Sequence, residues 1–169
     1  MKFTKISEEQ FNKDFSKQRM FNLCTYDEIK LPKRATKYSA GYDFYAPCDI
    51  VLSPGGVMKM PTGIRVELDS DKMLLCVPRS GLGFKYGLEL TNTVGIIDAD
   101  YSSSSNEGHI WVKLRYPGYY DYDNACSLLT IKKGEAMFQG IILPYYKVDD
   151  DNTVEEVRNG GFGSTTKKG

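Results

Sequence analysis

A chain of 169 residues with 41% apolar content is long enough for one domain whose core needs no covalent staples. Its 22 basic and 22 acidic residues cancel. That balance argues against a general nucleic-acid or membrane-surface binder, though not against a small anion held by a few focused cations. Cys24, Cys48, Cys76 and Cys126 are widely separated, and His109 stands alone. They lack the paired spacing of a structural zinc site and read as reduced thiols of a cytoplasmic protein.

The start, MKFTKISEEQF, carries no apolar stretch of the signal-peptide kind. No run approaches the roughly 18 apolar residues of a membrane span. ISEEQFNKDFSKQ predicts one short helix. Ser7 is placed to cap it, and Gln10, three residues on, completes a capping box. Phe11 and Phe15 share one face at i, i+4. After Leu31, prolines at 32, 47, 54, 61, 78, 117 and 144 punctuate short strand-like runs. These are GVMKMPTGIRVEL, KMLLCVPRS, HIWVKLRY, CSLLTIKKG and GIILPYY. Such runs joined by Gly/Pro turns predict an all-β sandwich or jelly roll. KVDDDNTVEEV (147–157) reads as an acidic linker into a glycine-rich tail. The chain thus divides into an N-terminal extension with a short helix (1–30), a β-core (31–147), and a linker with a flexible tail (148–169).

Five stretches carry chemistry, and each alone has a commonplace reading beside the functional one. SAGYDFYAP places Asp43 in an aromatic run, where a buried carboxylate needs partners. Backbone amides would suffice. PRSGLGFKYGLEL offers the planar fork of Arg79, the hydroxyl of Ser80 and the open backbone of Gly81, which suits phosphate oxygens or merely a polar turn. NTVGIIDADYSSSSNEGHIWV sets Asp98 and Asp100 behind an apolar strand, with Tyr101 next. An aspartate there can orient a water or form a turn. GEAMFQG puts Gln139 on a strand, and RNGGFGSTTKK combines Arg158, Phe162, Gly163, Ser164 and Thr165. Glycine and Ser/Thr amides in succession make anion-binding concavities, and a disordered tail has the same composition.

In order, AGYD, PRSGL, NTVGIIDADY, GExxxQ and RxGGFGST resemble the five motifs of the trimeric deoxyuridine triphosphatases (dUTPases), from about LPKRAT at 31 to Thr165. The resemblance implies a jelly-roll (β-clip) homotrimer that hydrolyses dUTP to dUMP and pyrophosphate with Mg²⁺. Each active site would be shared between subunits. Asp98 would activate the attacking water. Arg79, Ser80, Gly81 and Gln139 would bind the phosphate chain. Mg²⁺ would sit on the triphosphate through waters, with no direct protein ligand and Asp43 nearby. Uracil would be read by the backbone of a hairpin around Asn92, Gly95, Ile96 and Ile97, with Tyr101 under the deoxyribose. The tail would be a lid: Phe162 stacked on uracil, with Arg158, Gly163, Ser164 and Thr165 on the terminal phosphates.

Four features depart from the family pattern. SSSSNEGHI makes a longer hairpin tip, so uracil contacts there, His109 and Trp111 included, do not carry over. Ala136 stands where many members have arginine. Arg158 is one residue closer to the double glycine, and Thr166 replaces a frequent glycine. Residues 1–30 lie largely outside the resemblance. Two other functions share such a fold: a dCTP deaminase, and a regulatory protein that sequesters a partner.

Overall fold

The computed structural model describes residues 1–18, 23–118 and 127–151. In chain order the elements are β1 (Lys2–Lys5), α1 (Glu8–Lys17), β2 (Lys33–Arg34), β3 (Tyr42–Tyr45), β4 (Ile50–Leu52), β5 (Val57–Pro61), β6 (Ile64–Glu67) and β7 (Lys72–Pro78). There follow α2 (Ser80–Tyr86), β8 (Glu89–Leu90), β9 (Gly95–Ile97), a 3-10 helix (Ala99–Ser103), β10 (Trp111–Arg115), β11 (Leu129–Ile131) and β12 (Ala136–Pro144). The fold is all-β and fits a jelly roll, as expected. Short antiparallel sheets run in the orders β1-β6, β5-β10-β8, β11-β4 and β2-β3-β12-β7-β9.

The alternating pattern of β10, WVKLR, buries Val112 and Leu114 and exposes Lys113 and Arg115, the period-2 mark of a one-sided strand. GVMKMPTGIRVEL is not one strand. Gly63 takes φ 75° and splits it into β5 and β6, which join different sheets. The Thr62 hydroxyl donates to Ile110 O at 2.7 Å and stitches the break. Phe44 and Phe138 stack at 4.5 Å between centroids in the core, from β3 and β12.

The N-terminal helix forms where the sequence predicts it, and Ser7 Oγ accepts from Gln10 N at 3.1 Å. The capping box is only half present. Gln10 turns away to donate to Asp14 Oδ2 at 2.6 Å. The Ser7 amide is satisfied instead by Glu107, 100 residues on, at 2.7 Å. Residues 1–18 are also part of the core, not a mere extension. β1 pairs along β6, and Ile6, Phe11 and Phe15 are each at most 2% exposed.

Candidate active site

The five-stranded sheet brings three of the sequence-predicted residues together. Gln139 on β12 stands opposite Asp43 on one side and Val77 on the other. Arg79 leaves β7 just beyond Pro78, and its Nε donates to Asp43 Oδ1 at 2.9 Å. Asp43 is 8% exposed. A carboxylate taken from water needs a cationic or hydrogen-bonding partner, and the guanidinium is one. Asp43 therefore aims the arginine fork, a role that neither backbone bonding nor metal contact anticipated. Gln139 Nε2 donates to Pro78 O at 3.1 Å. Its amide oxygen lies over Gly41, where a Cβ would stand only 2.2 Å away. Gly41 thus holds the space for the Gln139 amide. Sequence reasoning passed over it, although it is the glycine of AGYD.

Arg79 opens α2, so PRSGLGFKYGLEL is a strand end and a short helix, not a polar turn. Two glycines in seven residues disfavour a helix. A left-handed Gly87 (φ 66°) ends it, and the Leu88 amide returns to Leu82 O at 3.3 Å. Ser80 and Gly81 sit in the first turn, whose amides have no acceptor within the helix. A Cβ on Gly81 would meet nothing within 4 Å. No packing in this chain therefore requires that glycine, whereas close approach of a phosphate would. None of the helix is buried, and Phe84 is 94% exposed.

At the far end of the sheet, β9 carries Ile96, 55% exposed, and Ile97, which is buried. The exposed Asp98 follows as N-cap residue of the 3-10 helix, and its carboxylate does not cap that helix. The Tyr101 amide bonds back to Asp98 O at 3.1 Å. Tyr101 is 4% exposed, and its hydroxyl donates to His109 O at 3.0 Å. The expected hairpin is not formed by β8 and β9: β8 pairs with β10, and β9 with β7. Between them Asn92 is exposed in a tight turn, with Thr93 at φ 65°. Nor is SSSSNEGHI a hairpin tip. It continues the 3-10 helix into turns that fold inward, leaving His109 with no solvent exposure.

These two groups do not meet within one chain. Ile97 pairs with Leu74, so Asp98 lies level with Met73, six residue steps from Arg79 along β7. At ~3.3 Å per step the separation approaches 20 Å, well beyond the reach of either side chain. Arg158, Phe162, Gly163, Ser164 and Thr165, the expected lid, lie outside the described residues, as does Thr166. Among the described residues no cluster of three His, Cys, Asp or Glu side chains could hold a metal, and no helix is long and apolar enough to cross a membrane.

Fold and site together define a strand-built protein with the Arg79–Asp43 pair and Gln139 at one end of a sheet and the Asp98 loop at the other. The dUTPase family model matches residues 27–166, and the chain belongs to that family. The deoxyuridine 5'-triphosphate nucleotidohydrolase of Lactococcus lactis is 39% identical over 139 residues, covering 81% of this chain and 88% of that protein. Its counterpart in Tolumonas auensis is 35% identical over 146 residues, with 82% and 89% covered. The crystal structure of dUTPase from Streptococcus mutans superposes with a TM-score of 0.66 at 28% identity, over 88% of this chain and 99% of that one.

Proposed function

We propose that this protein hydrolyses dUTP to dUMP and pyrophosphate at sites built from more than one copy of the chain. The observation that carries the shared site is the separation along β7. A water activated by Asp98 and phosphates gripped by Arg79 must converge on one α-phosphorus, and a single chain holds them too far apart. A neighbouring copy supplies the missing half. Exposed Val94 and Ile96 on the edge of the sheet, and Phe84 on α2, are apolar surface suited to such a contact. A homotrimer fits this layout and the family.

In this reading Asp98 accepts a proton as water attacks the α-phosphorus and the bond to pyrophosphate breaks. Arg79, held by Asp43, presents a fixed fork to the phosphate oxygens, and Ser80, Gly81 and Gln139 add neutral donors. The backbone of Asn92, Gly95, Ile96 and Ile97 reads uracil, and Tyr101 packs under the deoxyribose. Arg158, Phe162, Gly163, Ser164 and Thr165 close over the nucleotide. The donor set suits Mg²⁺ carried in on the triphosphate: the corner offers a single carboxylate, Asp43, already paired with Arg79, and the ion retains most of its water. When bound, Mg²⁺ neutralises phosphate charge, and Asp43 is the group that would face its hydration shell.

Mixing two dead variants tests the shared site. Arg79→Ala and Asp98→Asn should each fold and each hydrolyse almost no dUTP. Co-refolded in equal amounts, random assembly gives roughly a quarter of the sites an intact Arg79 from one chain and an intact Asp98 from another. Pyrophosphate release should reappear to about that extent. Mixed assemblies, verified by native mass spectrometry, that stay as inactive as their parents would refute the reading.

A further inference from the structure

Two stretches that depart from the family pattern touch each other. The family model begins at residue 27, so β1 and α1 precede it, and Ser102–His109 lies in SSSSNEGHI, where the sequence reading departs from the family pattern. Ser7, at the head of α1, donates to both oxygens of Glu107: its amide to Oε2 at 2.7 Å and its hydroxyl to Oε1 at 2.5 Å. Further along the helix, Asp14 Oδ2 lies 2.7 Å from His109 Nδ1. His109 Nε2 accepts from the Gly63 amide at 2.9 Å, which puts the ring proton on Nδ1, facing Asp14. Phe15 stacks on the same ring at 6.4 Å.

These bonds converge on the segment that carries Asp98 and Tyr101. The Tyr101 hydroxyl donates to His109 O and accepts from Asn106 Nδ2 at 2.9 Å. Gly108, at φ 71°, lets the segment fold onto the 3-10 helix; a Cβ there would stand 2.6 Å from Ser102 Cα. Glu107 itself sits at φ 60°, a strained backbone for a glutamate. Its two bonds to Ser7 offset that strain. A polar network with its partners supplied fixes one arrangement of a loop rather than many.

We propose that residues 1–18 are a clamp that sets the position of the Asp98–Tyr101 segment, with Ser7, Asp14, Glu107 and His109 as positioning residues for dUTP hydrolysis. The clamp rests on the roles given above to Asp98 and Tyr101. Loosening it displaces the water-activating carboxylate and the sugar-facing ring. It leaves the Arg79 corner, ~20 Å away along β7, with its grip on phosphate.

Glu107→Ala tests this, because Glu107 is the half-buried outer end of the network. We expect a folded protein whose kcat on dUTP falls about tenfold or more, since small misplacements of reacting groups cost that much. Its preference for dUTP over UTP should narrow while inhibition by inorganic pyrophosphate is unchanged. Glu107→Gln, whose amide oxygen still accepts from the Ser7 amide, should recover most of the loss. Wild-type kcat and preference in Glu107→Ala would overturn the clamp. So would a uniform loss with weakened pyrophosphate binding, the mark of general loosening. Should Glu107→Ala fail to fold, Ser7→Ala removes the hydroxyl of the same bond and carries the same expectations. Asp98→Asn, run alongside, separates the two levels. If it is inactive while Glu107→Ala is normal, only the clamp falls; if it is active, the assigned chemistry falls and takes the clamp with it.

Discussion

Gly41→Ala should silence much of the enzyme without unfolding it. A Cβ at this position would lie 2.2 Å from Gln139 Oε1 and 3.0 Å from its Cδ, an overlap only movement of the amide can relieve. The side chain is flexible and half-buried, so it swings out and gives up its bond to Pro78 O. A lost neutral hydrogen bond costs roughly 1 kcal/mol of stability. For a chain of this size that lowers Tm by only about 2–4 °C. The effect on catalysis is larger, because Gln139 is assigned to a charged phosphate. A hydrogen bond to a charged group is worth roughly 1.5–3 kcal/mol. At about 1.4 kcal/mol per decade this is a ~10- to 150-fold loss in kcat/KM. The assay is the initial rate of pyrophosphate release from dUTP for wild type, Gly41→Ala, Gln139→Ala and the double variant. If alanine at 41 acts by evicting Gln139, the double variant is no worse than Gln139→Ala alone. A folded Gly41→Ala with near-normal kcat/KM, or losses that multiply in the double variant, would refute the coupling.

Two further outcomes follow from ionisation. Burial alone would raise the Asp14 pKa, but hydrogen bonds from His109 and Gln10, with the charge of Lys17, outweigh it and hold it below 3.8. Folded Asp14 therefore stabilises the protein above that value and ceases to as acid protonates it. The Tm difference between wild type and Asp14→Asn should shrink as the pH falls below 3.8; a gap that ignores pH would contradict this. Burial likewise pushes the Cys24 and Cys76 thiols up to about 12 and raises Cys48. Since only thiolate reacts, a thiol reagent at mildly alkaline pH should label these three only as the protein unfolds, read by peptide mass mapping. Fast native labelling of Cys76 would mean that the β7–β9 pairing opens readily.

What the sequence made legible was local. Ser7 and the Phe11/Phe15 pair mark α1 because a cap and an i, i+4 face lie within a few residues of each other. Val112 and Leu114 mark β10 because alternation is a property of neighbours. β1 was invisible, since KFTK becomes a strand only by pairing with Ile64–Glu67. α2 was missed because SGLGFKY has poor helix propensity and a face of only two apolar residues, Leu82 and Tyr86, although Gly87 was there to signal its end. At the site, ordered motifs named Asp43, Arg79, Gln139 and Asp98. They did not show that Asp43 holds Arg79, because the two sit on β3 and at the end of β7, with β12 between them. His109 looked idle as a lone histidine, and its partner Asp14 lies 95 residues away.

That long reach also sets an order of events while the chain is being made. Ser7 waits for Glu107, 100 residues later, before its bonds can close. At ~5–20 residues per second of synthesis, the wait is about 5–20 s. A helix as short as α1, ten residues, barely holds together by itself in water. β1 can pair with β6 as soon as Glu67 is made, but the helix behind it is pinned only once Glu107 and His109 exist, and Phe11 and Phe15 stay incompletely covered meanwhile. A chain stalled before His109 keeps those two rings open to whatever apolar surface comes near. Folding helpers that recognise exposed aromatic residues would find their earliest foothold there.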